Sequence, residues 1–224
     1  SYKDRWSRVL ARAQSYDFSI LPYFEYAGST GATLGLGVQR RAQPLEDTAP
    51  QYPDYTNIGW SENFNADLTD PDTLTDLQHT LEVTVVDFAE DVDFAGIWIR
   101  QRLSHLPISF ADTTRQRFAA DRAVPVPTRA QLQSDSNLLD DYYDWWFGKR
   151  RDFLAAMRDH LRASGVDPEA VILFTTCASE PGVSFPSWEN RFVTDDVAGW
   201  TRRLQSPQVS QGKEIHPLLI DDVI

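Results

Sequence analysis

The spacing of apolar residues along the chain predicts several amphipathic helices. In residues 2–16, apolar side chains recur every three or four positions, which places them on one helical face. The same spacing returns in residues 74–88, and that helix has a clear start because Asp70 can cap it and Pro71 fits its first turn. Further helices are predicted over residues 112–120, 140–163 and 195–204.

Four short apolar runs between these helices are predicted to be strands. They lie within residues 19–27, 93–100, 170–177 and 216–224. The first three are continuous in apolar character, which is typical of parallel strands that are covered on both faces. Because helices and strands alternate without a repeat or a linker, the sequence predicts a single α/β domain over residues 1–224 with a parallel sheet.

Residues 28–69 differ from the rest of the chain because they show no sustained period. Glycines and prolines interrupt the stretch, and Tyr52, Tyr55, Trp60 and Phe64 supply aromatic rings. Long irregular segments in compact domains usually have a functional role, so we predict a binding loop here.

The composition is that of a globular protein, and the charge narrows the range of partners. Hydrophobic residues make up 42% of the 224 residues and aromatic residues 12%, which is enough for a substantial core. A formal net charge of −12 would repel a phosphate backbone, so no nucleic-acid partner is expected. No apolar run approaches the roughly 18 residues of a spanning helix, so no membrane span is expected. The oligomeric state stays open.

The sequence lacks the common patterns for metal and cofactor binding. Its histidines do not have the spacing of a zinc site, and Gly31, Gly35 and Gly37 do not form a phosphate-binding loop. Asp221 and Asp222 could bind a divalent ion, although a solvated surface position is the simpler interpretation. We therefore expect no metal and no cofactor.

The single cysteine and the first residues of the sequence bear on cellular location. Cys177 cannot form an intrachain disulfide, which leaves the compartment open, with export to the periplasm or the outside included. The sequence opens at Ser1 with a helical pattern and without a signal peptide. We therefore expect a trimmed product or a piece of a longer polypeptide.

Polar and aromatic residues follow the predicted strands, where parallel α/β folds place their active sites. Carboxylates come at the end of the first strand and just after the third, and arginines come at the end of the second. The side chains predicted to meet at this edge are Glu25, Tyr26, Trp98, Arg100, Arg102 and Glu180.

Two carboxylates beside arginines and aromatic rings suit the cleavage of a glycosidic bond. One carboxyl protonates the leaving oxygen and the other attacks or activates water. We assign Glu180 as general acid/base and Glu25 as the second carboxylate, with Arg100 and Arg102 as residues that orient the substrate or a carboxylate. Either arginine would keep one of the two carboxylates ionised. The predicted platforms for sugar rings are Tyr26, Trp60, Trp98 and Trp188. A structural role stays open for each, as a strand-end ion pair or as loop packing.

Two stretches of the chain resemble known sugar-cleaving enzymes. Residues 67–100, with TDPDTL before a helix and DFAGIWIR after it, resemble a segment of glycoside-hydrolase (β/α)8 barrels. Residues 107–161, with PISFADTTRQRF and YYDWWFGKRRDFLAAMRDHL, are similar to beta-galactosidase-like enzymes of clan A. The resemblance implies a (β/α) barrel of TIM type, with only part of the barrel in this chain if strands are missing, since a full barrel takes about 250 residues.

Two departures from that family pattern leave alternatives to hydrolysis. Arg100 stands at a strand end where several related barrels carry an aspartate nucleophile, and Ser179 precedes Glu180 where an asparagine is usual. The alternative is a catalytically silent carbohydrate-binding module on the same fold. A metal-assisted hydrolase that uses Asp221 and Asp222 is a third hypothesis.

Overall fold

A computed structural model describes residues 2–25, 38–40, 42–43, 45, 55–57, 66–101, 108–176 and 222–223. Helices predominate in this part of the chain and the strands are short. The α-helices are α1 (Tyr2–Gln14), α2 (Pro71–Thr84), α3 (Asp112–Arg122), α4 (Arg129–Ser134) and α5 (Ser136–Ala163). The strands are β1 (Tyr23–Glu25), β2 (Val38–Arg40), β3 (Tyr55–Asn57), β4 (Gly96–Gln101), β5 (Val171–Thr176) and β6 (Asp222–Val223).

The main sheet has the strand order β1-β4-β5-β6. The first three strands run parallel, and β6 runs antiparallel to β5. A single parallel bridge between Ile20 and Phe94 continues the pairing of β1 and β4 beyond their amino ends. Strands β2 and β3 form a separate antiparallel pair.

The core lies between the helices and one face of the main sheet. Ile97 and Ile99 of β4 are almost completely buried, and so is Ile172 of β5. Helix α5 packs against β5, α2 and α4, and it buries a series of large side chains: Tyr142, Tyr143, Trp145, Trp146, Phe147, Phe153, Leu154, Met157 and Leu161. Helix α5 thus supplies a large, mostly apolar part of the core, with the buried Arg150 among these side chains.

Helix α1 is attached to this core along a narrow stripe. Leu10 is buried, and the indole N–H of Trp6 donates a hydrogen bond of 2.7 Å to the carbonyl of Thr84 at the end of α2. Its opposite side stays in solvent, where Val9 is 55% exposed. The apolar spacing therefore predicted helix α1 correctly, whereas Val9, which belongs to that spacing, lies on the exposed side.

The prediction of a (β/α) barrel is wrong for the part of the chain that the structure describes. The parallel sheet there has only β1, β4 and β5, and it continues into an antiparallel strand instead of closing on itself. A barrel needs a closed ring of strands, each with a neighbour on both sides. Alternating helices and apolar strands are common to open and closed sheets, so the pattern could not distinguish them.

The other sequence predictions differ in accuracy along the chain. The helices predicted for α1, α2, α3 and α5 are confirmed within a few residues, and so are the three parallel strands. Of the first predicted strand, residues 19–27, the structure describes a strand at Tyr23–Glu25, and the fourth holds a described strand only at β6, which is antiparallel. The helix predicted over residues 195–204 lies outside the described residues. Helix α4 and the pair of β2 with β3 have no counterpart among the sequence predictions.

Candidate functional site

The carboxyl ends of β1, β4 and β5 meet at one edge of the main sheet because the three strands are parallel. In the backbone register Glu25 lies opposite Arg100, and Arg100 lies opposite Thr175. Neighbouring strands are about 4.8 Å apart. An acidic, a basic and a hydroxyl-bearing residue therefore occupy adjacent positions on three strands, at the edge where parallel sheets bind ligands.

An aromatic pair lies two residues before these positions on the same strands. The rings of Tyr23 and Trp98 are 5.0 Å apart between centroids and meet edge to face at 69°. Trp98 is half-buried, whereas Tyr23 is 42% exposed. The backbone N–H of Trp98 donates a hydrogen bond of 2.8 Å to the carbonyl of Pro22, which fixes the start of β1 against β4. The edge thus combines a fixed backbone with an accessible aromatic surface.

The structure brings some of the predicted site residues to this edge. Glu25 and Arg100 are register partners, and Trp98 is one of the paired aromatic residues. The remaining predicted residues lie outside the described part of the chain: Tyr26, Trp60, Arg102, Glu180 and Trp188. The meeting of two carboxylates at one site therefore stays a prediction.

Of the two aspartates considered for a divalent ion, only Asp222 lies within the described residues. Asp222 is in β6, opposite Phe174 of β5, and Asp221 is outside the described residues. Among the residues that the structure describes, no group of three or more histidine, cysteine, aspartate or glutamate side chains is arranged to hold a metal ion.

A second polar arrangement is buried around the start of α3. The Thr114 hydroxyl lies 2.5 Å from Asp67 Oδ2 and 2.8 Å from Ser109 Oγ, and all three residues are fully buried. A hydroxyl carries one proton and a carboxylate accepts. Thr114 therefore donates to Asp67, and Ser109 donates to Thr114. The Ser109 oxygen accepts in turn from the N–H groups of Gln43 at 3.4 Å and Ala111 at 3.3 Å.

Arg117 connects this network to the start of α2. Its guanidinium lies 3.5 Å from Asp67 Oδ2 and donates to Asp70 Oδ2 at 2.5 Å. Asp70 also caps α2, because its other carboxylate oxygen accepts from the N–H of Asp72 at 3.0 Å. Two buried carboxylates are thereby compensated by one arginine and by several donors, which buried charges require.

Tyr142 of α5 adds a further hydrogen bond to this network. Its hydroxyl donates to the carbonyl of Ser109 at 2.7 Å. Burial raises the pKa of the Tyr142 phenol well above its ordinary value, and the negative charge of Asp67 raises the pKa further. The phenol is therefore a permanent hydrogen-bond donor at neutral pH, which suits a structural role better than proton transfer.

A third polar contact joins α3 to α5 at the surface. Asp121 accepts from the indole N–H of Trp145 at 2.8 Å, and Lys149 Nζ lies 2.8 Å from the same oxygen. The hydrogen bond from Lys149 holds the pKa of the Asp121 carboxyl below its ordinary value, and the hydrogen bond from Trp145 also lowers it, while burial acts in the opposite direction. This contact fastens two helices together.

The sequence predicts a site at the sheet edge, whereas the buried network around Asp67 was not predicted. In the sequence Asp70 fits a helix cap, and no pattern points to Asp67, Ser109 or Thr114 as a group. The only local signal is the closely spaced Asp67, Thr69 and Asp70, a pattern that also fits an ordinary helix start. The partners of Asp67 lie far along the chain, so only the fold brings them together.

Searches of protein-family models, of curated proteins and of solved structures found no match to this chain. None of the helices in the described part of the chain combines the length and the apolar character needed to cross a lipid bilayer. The function proposed below therefore rests on the residues of this chain alone.

Proposed function

We propose that the chain binds a carbohydrate at the carboxyl edge of β1, β4 and β5 and cleaves a glycosidic bond there with two carboxylates, Glu25 and Glu180. The observation that carries the proposal is the register of the parallel strands, which sets Glu25 beside Arg100 at this edge. No cofactor is needed for this chemistry.

The position of Arg100 favours a particular role for Glu25. A guanidinium on the neighbouring strand stabilises the charged form of a carboxylate. Glycoside cleavage needs one carboxylate that is ionised, as nucleophile or base, and one that is protonated, as acid. Glu25 fits the ionised role beside Arg100, which leaves the acid role to Glu180, four residues after the end of β5.

The aromatic pair supports a sugar as the ligand. A flat aromatic face packs against the C–H side of a sugar ring, and such contacts need rings that are both fixed and accessible. Tyr23 is 42% exposed, and its ring is held against Trp98. The negative net charge of −12 also disfavours nucleic acids and phosphorylated sugars in comparison with neutral saccharides.

The experiment compares turnover of a panel of p-nitrophenyl α- and β-glycosides by the original chain and by Glu25→Gln and Glu180→Gln. Loss of a general acid or base lowers a rate by about 10²–10⁴-fold, so we expect kcat to fall by that factor in each variant. Glu169→Gln is the matched control, because Glu169 is exposed just before β5, at the opposite end of that strand. Equal turnover by all four proteins would contradict the proposal that hydrolysis takes place at this edge.

A catalytically silent carbohydrate-binding protein is the second candidate. Arg100 at the strand end favours it, because a guanidinium that stays hydrogen-bonded to Glu25 would leave that carboxylate ionised but with its oxygens occupied, so that it could not attack the sugar or activate water. This function predicts saccharide binding without turnover, with affinity lost in Trp98→Ala and kept in Glu180→Gln. Binding measured by calorimetry on the same panel distinguishes it from hydrolysis.

A further inference from the structure

Helix α1 is positively charged, although the chain as a whole carries a formal net charge of −12. The helix contains Lys3, Arg5, Arg8 and Arg12 and a single acidic residue, Asp4. Basic residues near the amino end of a helix oppose its dipole, and like charges three or four residues apart destabilise it. The cluster of arginines therefore does not serve the stability of α1 itself.

The three arginines lie on one exposed face of α1. They are separated by three and four residues, which places them on the same side of the helix, and two large side chains at helical spacing lie between and beyond them. This basic face consists of Arg5, Arg8, Val9, Arg12 and Tyr16, all exposed. Val9 is 55% exposed and Tyr16 is 54% exposed, so the face offers apolar surface as well as charge.

The charges of the basic face are not neutralised by the described part of the chain. Elsewhere exposed cations are paired, as Lys3 is with Asp87 at 3.2 Å. Among the residues that the structure describes, no carboxylate forms an ion pair with the three arginines of the basic face. Arg8 donates only to a backbone carbonyl, that of Asp4, at 3.1 Å. The guanidinium groups are therefore open to carboxylates of another molecule.

The carboxyl end of the basic face is a fixed stack of a cation on aromatic rings. The Arg12 guanidinium lies 4.7 Å from the centroid of the Tyr16 ring and donates to the Tyr16 hydroxyl at 2.5 Å. The ring of Phe18, 61% exposed, stacks on Tyr16 at 5.7 Å. Asp17 turns the chain with a φ of +57°, and the N–H of Phe18 donates to the carbonyl of Ala13 at 3.3 Å. Arginine and accessible aromatic rings held in place are typical of the residues that dominate binding energy at protein interfaces.

We propose that the basic face of α1, together with Phe18, is a docking surface for an acidic segment of a partner protein. Carboxylates of the segment pair with Arg5, Arg8 and Arg12, and an apolar side chain among them packs on the rings of Tyr16 and Phe18. Charge complementarity is the argument for this partner, because the guanidinium groups have no carboxylates of their own. The proposal does not depend on glycoside cleavage.

Other partners fit this surface less well. A helix that binds a lipid surface inserts a broad apolar side, but the apolar side of α1 is packed on the core through Trp6 and Leu10. The net charge of −12 also opposes binding to anionic lipids and to nucleic acids. A second copy that docked through the same face would bring two sets of arginines together.

The test measures binding of a labelled random copolymer of glutamate and tyrosine by fluorescence anisotropy, with polyglutamate as the second probe. The variant that combines Arg5→Gln, Arg8→Gln and Arg12→Gln should bind both probes at least tenfold more weakly. Phe18→Ala should weaken binding of the copolymer severalfold and leave binding of polyglutamate unchanged. Glutamine has nearly the helix propensity of arginine, so circular dichroism should show α1 intact in the triple variant.

The matched control removes the same three charges elsewhere, through Arg122→Gln, Lys149→Gln and Arg158→Gln on α3 and α5. It has the same net charge as the triple variant of α1 and should bind both probes like the original chain. The proposal is overturned if the control loses as much affinity, or if the original chain does not bind the copolymer. Tighter binding to phosphatidylserine vesicles or to duplex DNA, lost in the triple variant of α1, would also overturn it.

Discussion

Gly96 at the start of β4 is the residue whose backbone depends most directly on the absence of a side chain. Its φ is +132°, and a Cβ built there would lie 1.9 Å from the carbonyl oxygen of Val171. The approach of β4 to Val171 of β5 at this position is therefore possible only with glycine. Because the register of Glu25 and Arg100 depends on β4, the candidate site depends on this residue as well.

We expect Gly96→Ala to lower the free energy of unfolding by about 2 kcal/mol or more, because the strand has to move or strain. Gly148→Ala is the control, since nothing lies within 4 Å of a Cβ at that position in α5, and it should add about 0.5–1 kcal/mol as helical glycine replacements do. Urea denaturation measures both. Two variants of equal stability would show that β4 does not need glycine.

The contact between helices α3 and α5 includes an ion pair, Asp121 with Lys149, whose contribution to stability depends on pH. Lys149 and Trp145 of α5 bond to Asp121 of α3 and hold the pKa of its carboxyl below its ordinary value. A carboxyl whose pKa is lowered by folding stabilises the folded state above its unfolded pKa. That contribution is lost as the pH falls through the lower, folded pKa.

Asp121→Asn should therefore be less stable than the original chain at pH 7, and the difference should shrink as the pH falls below about 4. We expect a difference of no more than about 1 kcal/mol, because the side chains of Asp121 and Lys149 are 41% and 34% exposed and solvent weakens the pair. Denaturation between pH 3 and 7 measures it, and Lys149→Gln with the double variant isolates the pair. A difference that stays constant over this range would contradict the interpretation.

The elements that the sequence predicted well are those with a long period or a strong local start signal. Helix α2 begins where Asp70 and Pro71 indicate, and the side chains of α5 that repeat at helical spacing are buried. Helix α4 was missed although Thr128 and Gln131 form a capping box, because it has only 6 residues and its periodicity is too short to detect.

For the whole molecule, the sequence predicted the parallel strands and their order along the chain but not how the sheet ends. Apolar runs show which strands are buried, whereas closure into a barrel depends on strand number and stagger, which no local pattern contains. The direction of the parallel strands was enough to predict the candidate edge. The buried network could not be predicted in this way, because Asp67, Ser109 and Thr114 are brought together only by the packing of α3.

The arrangement of the whole domain decides whether the sheet edge can cleave a glycosidic bond. Two carboxylates act together only at separations of about 5–9.5 Å, with the shorter distances for retention and the longer ones for inversion. Glu25 is at the end of β1, and Glu180 follows β5, two strands away in the sheet order. The intervening strand β4 carries Arg100.

The most direct measurement is the distance between the carboxyl carbons of Glu25 and Glu180 in a crystal structure of the chain soaked with a saccharide. We expect a separation within about 5–9.5 Å, with the sugar ring beside Tyr23 and Trp98. Carboxyl groups much farther apart, or a sugar bound away from the ends of β1, β4 and β5, would contradict glycoside cleavage by this pair.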